Sequence, residues 1–400
     1  MAAKVIPINS LDAVEIAGKR VLVRVDHNVP LTNDGGIRDD ERIVRSLGTL
    51  REIVSRGARV LILSHLGYPD GQYIPELSTQ KLADRLGKLM GIRVLHHAGL
   101  SLELARKAAW RVVPGEILYL ENTRFWAGEQ ADSAELASCW ATCGDLYINE
   151  AFSASHRHHA SIHCLAGLLP AFSGRQLERE RRQLLSFRRN DERRGIVLGG
   201  AKLNHKLKAV SQLDGELAVL CLGGMTAIAV THFLGMPTGN AEFTTSCMGV
   251  VERAWKTLLA RKIVPLLPLD WVVRDGSGRL RLVDQHDVAV SDAIIDVGPQ
   301  TVQRFLAQLA TVRSVFWNGP LGVYESSPGE EGSLGLATGL VRRKQCGAKI
   351  VVGGGDTLAL IAAAGLSKSF TFCSSGGGAT LEFIGRGDDL PGLVHLFRDQ

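Results

Sequence analysis

Residues 349–357 read KIVVGGGDT. A short β-branched apolar run ends in three glycines, and an acid follows where a helix would begin. A near-continuous apolar run suits a strand buried on both faces of a parallel sheet. Glycines at its end let backbone N–H groups approach a phosphate at the next helix N-terminus, where the helix dipole favours an anion. The same grammar recurs outward from this stretch. The second half adds GIVLGGA (195–201), LAVLCLGG (217–224), KIVPLLPLDWVV (262–273), AIIDVGP (293–299), SVFWNGP (314–320) and SFTFCSSGGG (369–378). The first half adds VLVRVDHNV (21–29), ARVLILSHL (58–66), IRVLHH (92–97), EILYLEN (116–122) and DLYINEAF (145–152). Helical patterns lie between them at 40–57, 83–91, 204–213 and 301–310. Strands alternating with helices mean parallel sheets covered on both faces. About twelve strands are too many for one ordinary sheet. The expected class is α/β, with two doubly wound parallel-sheet domains joined by a hinge helix. The expected boundaries are 1–172, joined by a tail at 387–400, then a linker at 173–194, then 195–386.

Composition narrows the class. Of 400 residues, 45% are hydrophobic and 22% charged, which excludes wholesale disorder, a collagen-like fibre and a disulfide-stapled mini-domain. Glycine, at 44 residues, exceeds the usual share of about 7%. Most of that surplus lies in strand-end loops of the second half. Net charge is +5, and the stretch RQLERERRQLLSFRRNDERR (175–194) supplies much of it. Its acids are interspersed and its one aromatic is Phe187, so it reads as a solvated linker helix rather than a nucleic-acid stripe. The seven cysteines show no CxxC and read as buried reduced thiols, with Cys139 and Cys143 together on a helix face. No apolar segment of a signal peptide opens the chain. The uncharged stretch 217–241 contains glycines, a proline and polar residues, so it reads as a strand, a turn and a buried helix rather than a membrane span. A cytoplasmic monomer without membrane or nucleic-acid partners is expected.

In doubly wound sheets, ligands bind beyond the carboxyl ends of the strands. The two halves end their strands differently. The first offers Asp26, Asn28, His65, Asn122, Arg124, His156, Arg157 and His159, with Arg42 just inside the first helix. Arginines converging with Asp, Asn and His suit a small hydroxylated anion, because guanidinium grips phosphate or carboxylate through paired hydrogen bonds. The second offers glycine loops, which imply a nucleotide cradle. Neither GxxxxGKS/T nor GxGxxG occurs, which excludes a P-loop and the dinucleotide fingerprint of a dehydrogenase. Asp356, beside the triple glycine, suits a Mg²⁺–phosphate complex. Lys202 and Lys206 stand four apart, on one helix face. Two substrates on two hinged halves is an arrangement that excludes water from phosphoryl transfer. The histidines at 156, 158, 159 and 163 lack a familiar Cys/His spacing and read as anion site and helix surface rather than zinc.

These motifs, in their order, resemble the phosphoglycerate kinase family over nearly the whole chain. The resemblance is carried by VLVRVDHNVPL (21–31), DDERI (39–43), SHLG (64–67), LENTRF (120–125), AFSASHRHHAS (151–161), GGAK (199–202), LPLDWVV (267–273), DVGPQT (296–301), WNGPLGVYE (317–325), GGGDT (353–357) and SSGGGATLE (374–382). It implies reversible Mg²⁺-dependent phosphoryl transfer between ATP/ADP and 3-phosphoglycerate/1,3-bisphosphoglycerate. It implies that Asp26 and Asn28 hold the glycerate end, that Arg42 contacts the carboxylate and the moving phosphoryl group, and that His65, Arg124 and Arg157 hold the 3-phosphate. Lys202 would touch the nucleotide phosphates, and Lys206 would neutralise the transferring group. Asn318 would sit near the phosphates, Glu325 at the ribose, and Pro320 and Val323 against the base. Asp356 would organise Mg²⁺. Gly353, Gly354, Gly355, Thr357, Gly376 and Gly377 would donate hydrogen bonds, with Gly354 and Gly377 at the reacting phosphoryl group. Such a transfer needs positioning and charge neutralisation but no protein nucleophile.

The chain departs from the family's pattern at several points. SHLGYP places Tyr68 where the family has a phosphate-binding arginine, at an expected cost of about 1.5–3 kcal/mol in substrate binding. His27 replaces a Phe, His205 an Asp before Lys206, and Glu150, Ser153 and His158 are new in their motif; 222–230 read LGGMTAIAV. The alternatives are a paralogue acting on another small carboxylic acid, or a catalytically weak nucleotide-binding regulator.

Overall fold

The computed structural model describes residues 7–188, 193–201, 203–213 and 215–397. The chain divides into two compact units. One runs Gln183–Gly387; the other comprises the described residues up to Arg182 together with those from Asp388 on.

The first unit is built on β1 (Arg20–Arg24), β2 (Arg59–Leu63), β3 (Val94–His97), β4 (Ile117–Leu120), β5 (Leu146–Asn149) and β6 (Ala171–Ser173). They form one parallel sheet in the order β3-β4-β2-β1-β5-β6. Val21, Val23, Val60, Ile62, Ile117, Tyr119 and Ile148 are buried against the helices Glu41–Ser55 and Gln80–Met90. The order reverses beside β1, so the crevice for a ligand opens at the carboxyl ends of β1, β2, β4 and β5. The tail closes on this unit. Asn9 donates to the Leu396 carbonyl at 2.7 Å, and Asn149 Nδ2 to that of Gly392 at 2.8 Å.

The second unit holds β7 (Arg194–Leu198), β8 (Leu217–Leu222), β9 (Asp270–Arg274), β10 (Leu280–Asp284), β11 (Ala293–Val297), β12 (Ser314–Asn318), β13 (Lys349–Gly353) and β14 (Phe372–Ser374). Five of them form a parallel sheet, β14-β13-β12-β7-β8. The α/β class stands with one amendment: β9, β10 and β11 form a separate antiparallel ribbon. The expected buried strand at 262–273 therefore splits in two: Leu266 makes a parallel bridge to Cys221 of β8, and β9 pairs in the separate ribbon. The short β6 and the edge strand β10 carry no long apolar run; β10 alternates exposed and half-buried positions. The stretch 217–241 is β8, a glycine turn and the buried helix Gly224–Phe233, as read. Among the described residues no helix is long and apolar enough to cross a membrane.

Two expectations are corrected. The charged connector is not a solvated helix. Over Arg175–Arg188, Leu177, Glu180, Arg181, Leu184 and Phe187 are buried. Two of its arginines are paired: Arg175 holds Glu52 at 2.7 Å and Asp12 at 2.5 Å, and Arg181 holds Asp388 at 2.7 Å, while Arg179 and Arg182 are exposed on the other face. Nor are the cysteines uniformly buried. All seven are free, but Cys139 and Cys346 are exposed while Cys143 and Cys221 are buried. The helix Ala134–Ala141 ends before Cys143, so the pair does not share one face.

Glu150 sits under the first turn of the connector helix. It accepts from Thr49 Oγ1 at 2.5 Å and from the Gln176 N–H at 3.2 Å. A Cβ on Gly174 would lie 1.9 Å from its Oε2, so that position must be glycine. Burial pushes the Glu150 carboxyl up to about 8, with the Thr49 and backbone hydrogen bonds opposing. A carboxyl whose folded value exceeds its unfolded one stabilises fully at low pH. That contribution is lost as pH climbs from about 4.5 through about 8. The unfolding midpoint should therefore fall between about pH 4.5 and 8, and Glu150→Gln should remove that component. An identical slope in the variant, measured by thermal denaturation, would contradict the assignment.

Candidate active site

The polar residues of the first unit meet at one place. Asp26 lies just past β1. Its carboxylate accepts from Arg42 and from Ser153 Oγ, and from the Asn28 N–H at 3.1 Å. Asn28 Oδ1 in turn accepts from the Gly67 N–H at 2.8 Å, which ties the loop after β1 to the loop after β2. His65, past β2, brings Nε2 to 4.0 Å from Asp26 Oδ1. Burial works against the Asp26 charge, but the Arg42 guanidinium, with hydrogen bonds from Ser153 and the Asn28 N–H, outweighs it and holds the carboxyl well below its usual range.

Arg24 organises the floor beneath. It is fully buried and donates to Ser161 Oγ at 2.8 Å and to His65 Nδ1 at 3.1 Å, with Glu129 3.9 Å away. A guanidinium can only donate, so His65 Nδ1 is an acceptor and its proton is on Nε2, toward Asp26. Burial, with Arg24, Arg124 and Arg157 adding, keeps His65 well below the usual imidazole range. Arg24 is an arginine inside an apolar run, and that was the one sequence signal for it.

Arg124 follows β4. Its Nη1 donates to the Gly67 carbonyl at 2.6 Å, while Nε and Nη2 are buried with no hydrogen-bond partner. Its guanidinium carbon lies 4.6 Å from the centre of the Tyr68 ring. Tyr68 is 66% exposed and lies across this cation. Burial would raise the Tyr68 phenol, but a hydrogen bond and charge from Arg157, with Arg124, bring it below its usual range. Asp26, Asn28, Arg42, His65, Arg124 and Arg157 are thus linked through the loops past β1, β2, β4 and β5, with Tyr68 over Arg124. His27 is set apart. Its Nδ1 meets the Tyr119 hydroxyl at 3.0 Å and Nε2 meets Ser46 at 2.9 Å, and burial lowers it to about 3. It is a neutral core residue.

The second unit gathers its candidates on glycine turns. Gly353 ends β13, Gly354 has φ 94°, and the helix Gly355–Ala363 begins at once, with Asp356 in its first turn. Gly376 and Gly377 precede the helix Gly378–Arg386, and the N-cap Gly377 has φ 54°. Space beside Gly355 and Gly377 is open, so their N–H groups can be approached closely. Asn318 ends β12, and its Nδ2 is buried without a partner. Lys206 is buried and folds back to the Gly199 carbonyl beside Gly200. Lys202 lies outside the described residues. Thr357 is buried, and its Oγ1 accepts from the Gly319 N–H at 2.7 Å; this fixes the turn after β12. Pro320 is buried in that turn, its carbonyl accepting from Gly200, while Val323 and Glu325 are exposed. Burial first, then Asp356 and Glu325, raise the Tyr324 phenol, so these three face one another.

A feature the sequence did not disclose flanks this loop set. A largely apolar cleft of about 410 Å³ is lined by Val272, Val297, Pro299, Val302, Leu306 and Gly335, among others. The signal available was the glycine spacing at 332, 335 and 339, which lets one helix press closely on the next: a Cβ at Gly339 would meet Leu306 at 2.4 Å.

Comparison with known proteins agrees with this architecture. The family model described as phosphoglycerate kinase matches residues 11–386. The phosphoglycerate kinase of Chloroflexus aurantiacus is 35% identical over 389 residues, covering 96% of this chain and 97% of its own. That of Zymomonas mobilis is 38% identical over 394 residues, with coverage of 96% and 98%. The solved phosphoglycerate kinase of Coxiella burnetii superposes with a TM-score of 0.82 at 30% identity, covering 98% of this chain and 99% of that one.

The site geometry makes His65 neutral at physiological pH. Its ring nitrogen shifts, followed by NMR, should remain those of the Nε2–H tautomer as the pH falls through 6.5. Protonation near its ordinary value of 6.5 would contradict the assigned network.

Proposed function

The chain belongs to the phosphoglycerate kinase family, and from that premise we propose that it transfers a phosphoryl group reversibly between ATP and 3-phosphoglycerate, with Mg²⁺. The observation that carries the acid's identity is Arg124. A buried guanidinium with two unpartnered nitrogens costs free energy until an anion with several oxygens satisfies it. Arg157 and Tyr68 stand beside it, so the 3-phosphate docks there. Asp26 and Asn28 receive the hydroxyl and carboxylate end. Arg42, about two-fifths exposed and already on Asp26, turns its remaining donors to the carboxylate.

On the second unit, Lys206 and the N–H groups around Gly199, Gly354, Gly355, Gly376 and Gly377 serve the nucleotide phosphates. Gly353 and Thr357 hold the turns that present them, and Asn318 Nδ2 finds its acceptor in a phosphate oxygen. The apolar cleft beside Pro299 and Gly335 takes the base, Pro320 and Val323 from the turn after β12 pack against it, and Glu325 serves the ribose. Asp356, exposed at a helix N-terminus, is an oxygen donor of the kind Mg²⁺ takes along with phosphate oxygens. When bound, the ion neutralises charge on the phosphates. Lys206 and Arg42 stabilise the charge that develops on the transferring group.

The reading is tested with purified protein, ATP, Mg²⁺ and 3-phosphoglycerate. Turnover with an elevated KM for the acid is expected, and no turnover at saturating acid would overturn it. Tyr68→Arg should lower that KM roughly ten- to hundred-fold, the equivalent of one regained charge-assisted contact of about 1.5–3 kcal/mol, with little change in kcat. An unchanged KM would place Tyr68 outside the recognition of the acid.

A further inference from the structure

Four histidines crowd residues 156–163, and in the structure they part company. His159 faces inward, with Nδ1 3.8 Å from Glu129 Oε1. His158 and His163 face Asp132, far upstream in sequence. His163 Nδ1 lies 2.7 Å from Asp132 Oδ2, and His158 Nδ1 lies 3.5 Å from the same oxygen. One donor atom from each of the three residues falls within 4.8 Å of the others. The two imidazoles meet edge to face at 4.9 Å, and the His395 ring stands 5.2 Å behind His163. Asp132 is held in place independently of the histidines. Its Oδ1 accepts from the Cys164 N–H at 3.3 Å and its carbonyl from the Cys164 thiol at 3.1 Å. That leaves Oδ2 directed at both rings.

We infer that Asp132, His158 and His163 form a binding site for a divalent transition metal, Zn²⁺ in particular, apart from the crevice that receives the acid. Two imidazoles and one carboxylate match the donor preference of Zn²⁺, whereas Mg²⁺ and Ca²⁺ prefer oxygen alone. Zinc holds such donors at about 2.0–2.2 Å, which places tetrahedral ligand atoms about 3.3 Å from one another. The His158–Asp132 separation of 3.5 Å already suits this. The His163–Asp132 pair, now at 2.7 Å, opens slightly as the proton it shares is exchanged for the metal. The His158 side chain is 64% exposed, which gives the ion a route and leaves its remaining position to water. Arg157, next to His158 in sequence, turns instead to Tyr68. A metal here would therefore pin the segment that carries a proposed phosphate ligand without touching it.

The test is titration of metal-stripped, full-length protein with Zn²⁺ against a chromogenic chelator. One site per chain of roughly micromolar affinity or tighter is expected. His158→Ala, His163→Ala and Asp132→Asn should each weaken it at least about tenfold. His286→Ala, at an exposed histidine elsewhere, should not, and millimolar Mg²⁺ should not compete. The exposed His158 can be removed without disturbing the fold, so His158→Ala keeps the test independent of folding. Failure to find a single site tighter than about 100 µM, or a His158→Ala protein that binds like the wild type, would overturn the proposal.

Discussion

The buried guanidinium of Arg24 is the contact around which the anion-facing side of the first unit is arranged. A cation without solvent must have its donors satisfied. Here they are met by Ser161, His65 and the Val25 carbonyl, with the Glu129 carboxylate close by. Glu129 itself accepts from the N–H and hydroxyl of Ser161, at 2.9 and 2.6 Å. One arginine thus joins β1, the loop after β2 and the segment after β5. It also fixes the chemistry above it, because a donor aimed at His65 Nδ1 makes that ring a neutral Nε2–H donor. Asp26, beside that donor and under Arg42, stays ionised. The floor beneath Asp26 is therefore set by buried, hydrogen-bonded groups.

On the proposed reading, the two units handle anions by different means. In the first, side chains do the work, and placing cations there requires burial and pairing. In the second, backbone N–H groups at glycine turns do it, and the requirement is the absence of Cβ atoms. Gly199 illustrates this: a Cβ there would lie 2.0 Å from the Pro320 carbonyl oxygen. A guanidinium recognises one end of one acid, while a turn of N–H groups accepts any phosphate presented to it. On that reading specificity for the acid rests on a few residues, and Tyr68 is the departure with most bearing on it.

Much of this was legible in the sequence, for identifiable reasons. Apolar runs bounded by glycines or by polar clusters fall on the strands of both parallel sheets, because a strand buried on both faces cannot hide its composition. Residues just past those runs, such as Asp26, His65 and Arg124, are brought together because parallel strands all end on the same side. The antiparallel ribbon was legible only in part: β9 and β11 fall in the runs at 262–273 and 293–299, but their pairing and β10 did not show. Its β10 exposes Leu280 and Leu282 and has no core to give it a continuous apolar signature. The connector helix misled through charge: Arg175 and Arg181 looked solvated, yet their partners Glu52 and Asp388 lie far off in sequence. The pairing of His158 and His163 with Asp132 was hidden for the same reason.

The central claim is that Arg124 and Arg157, with Tyr68 across them, receive a phosphate carried by the acid substrate. It is tested most directly by comparing kcat/KM of the wild-type protein for 3-phosphoglycerate and for glycerate, which lacks only that phosphate. Leaving buried donors unpaired costs enough that a preference on the order of 10³-fold or more for the phosphorylated acid is predicted. Equal or better use of glycerate would contradict the account.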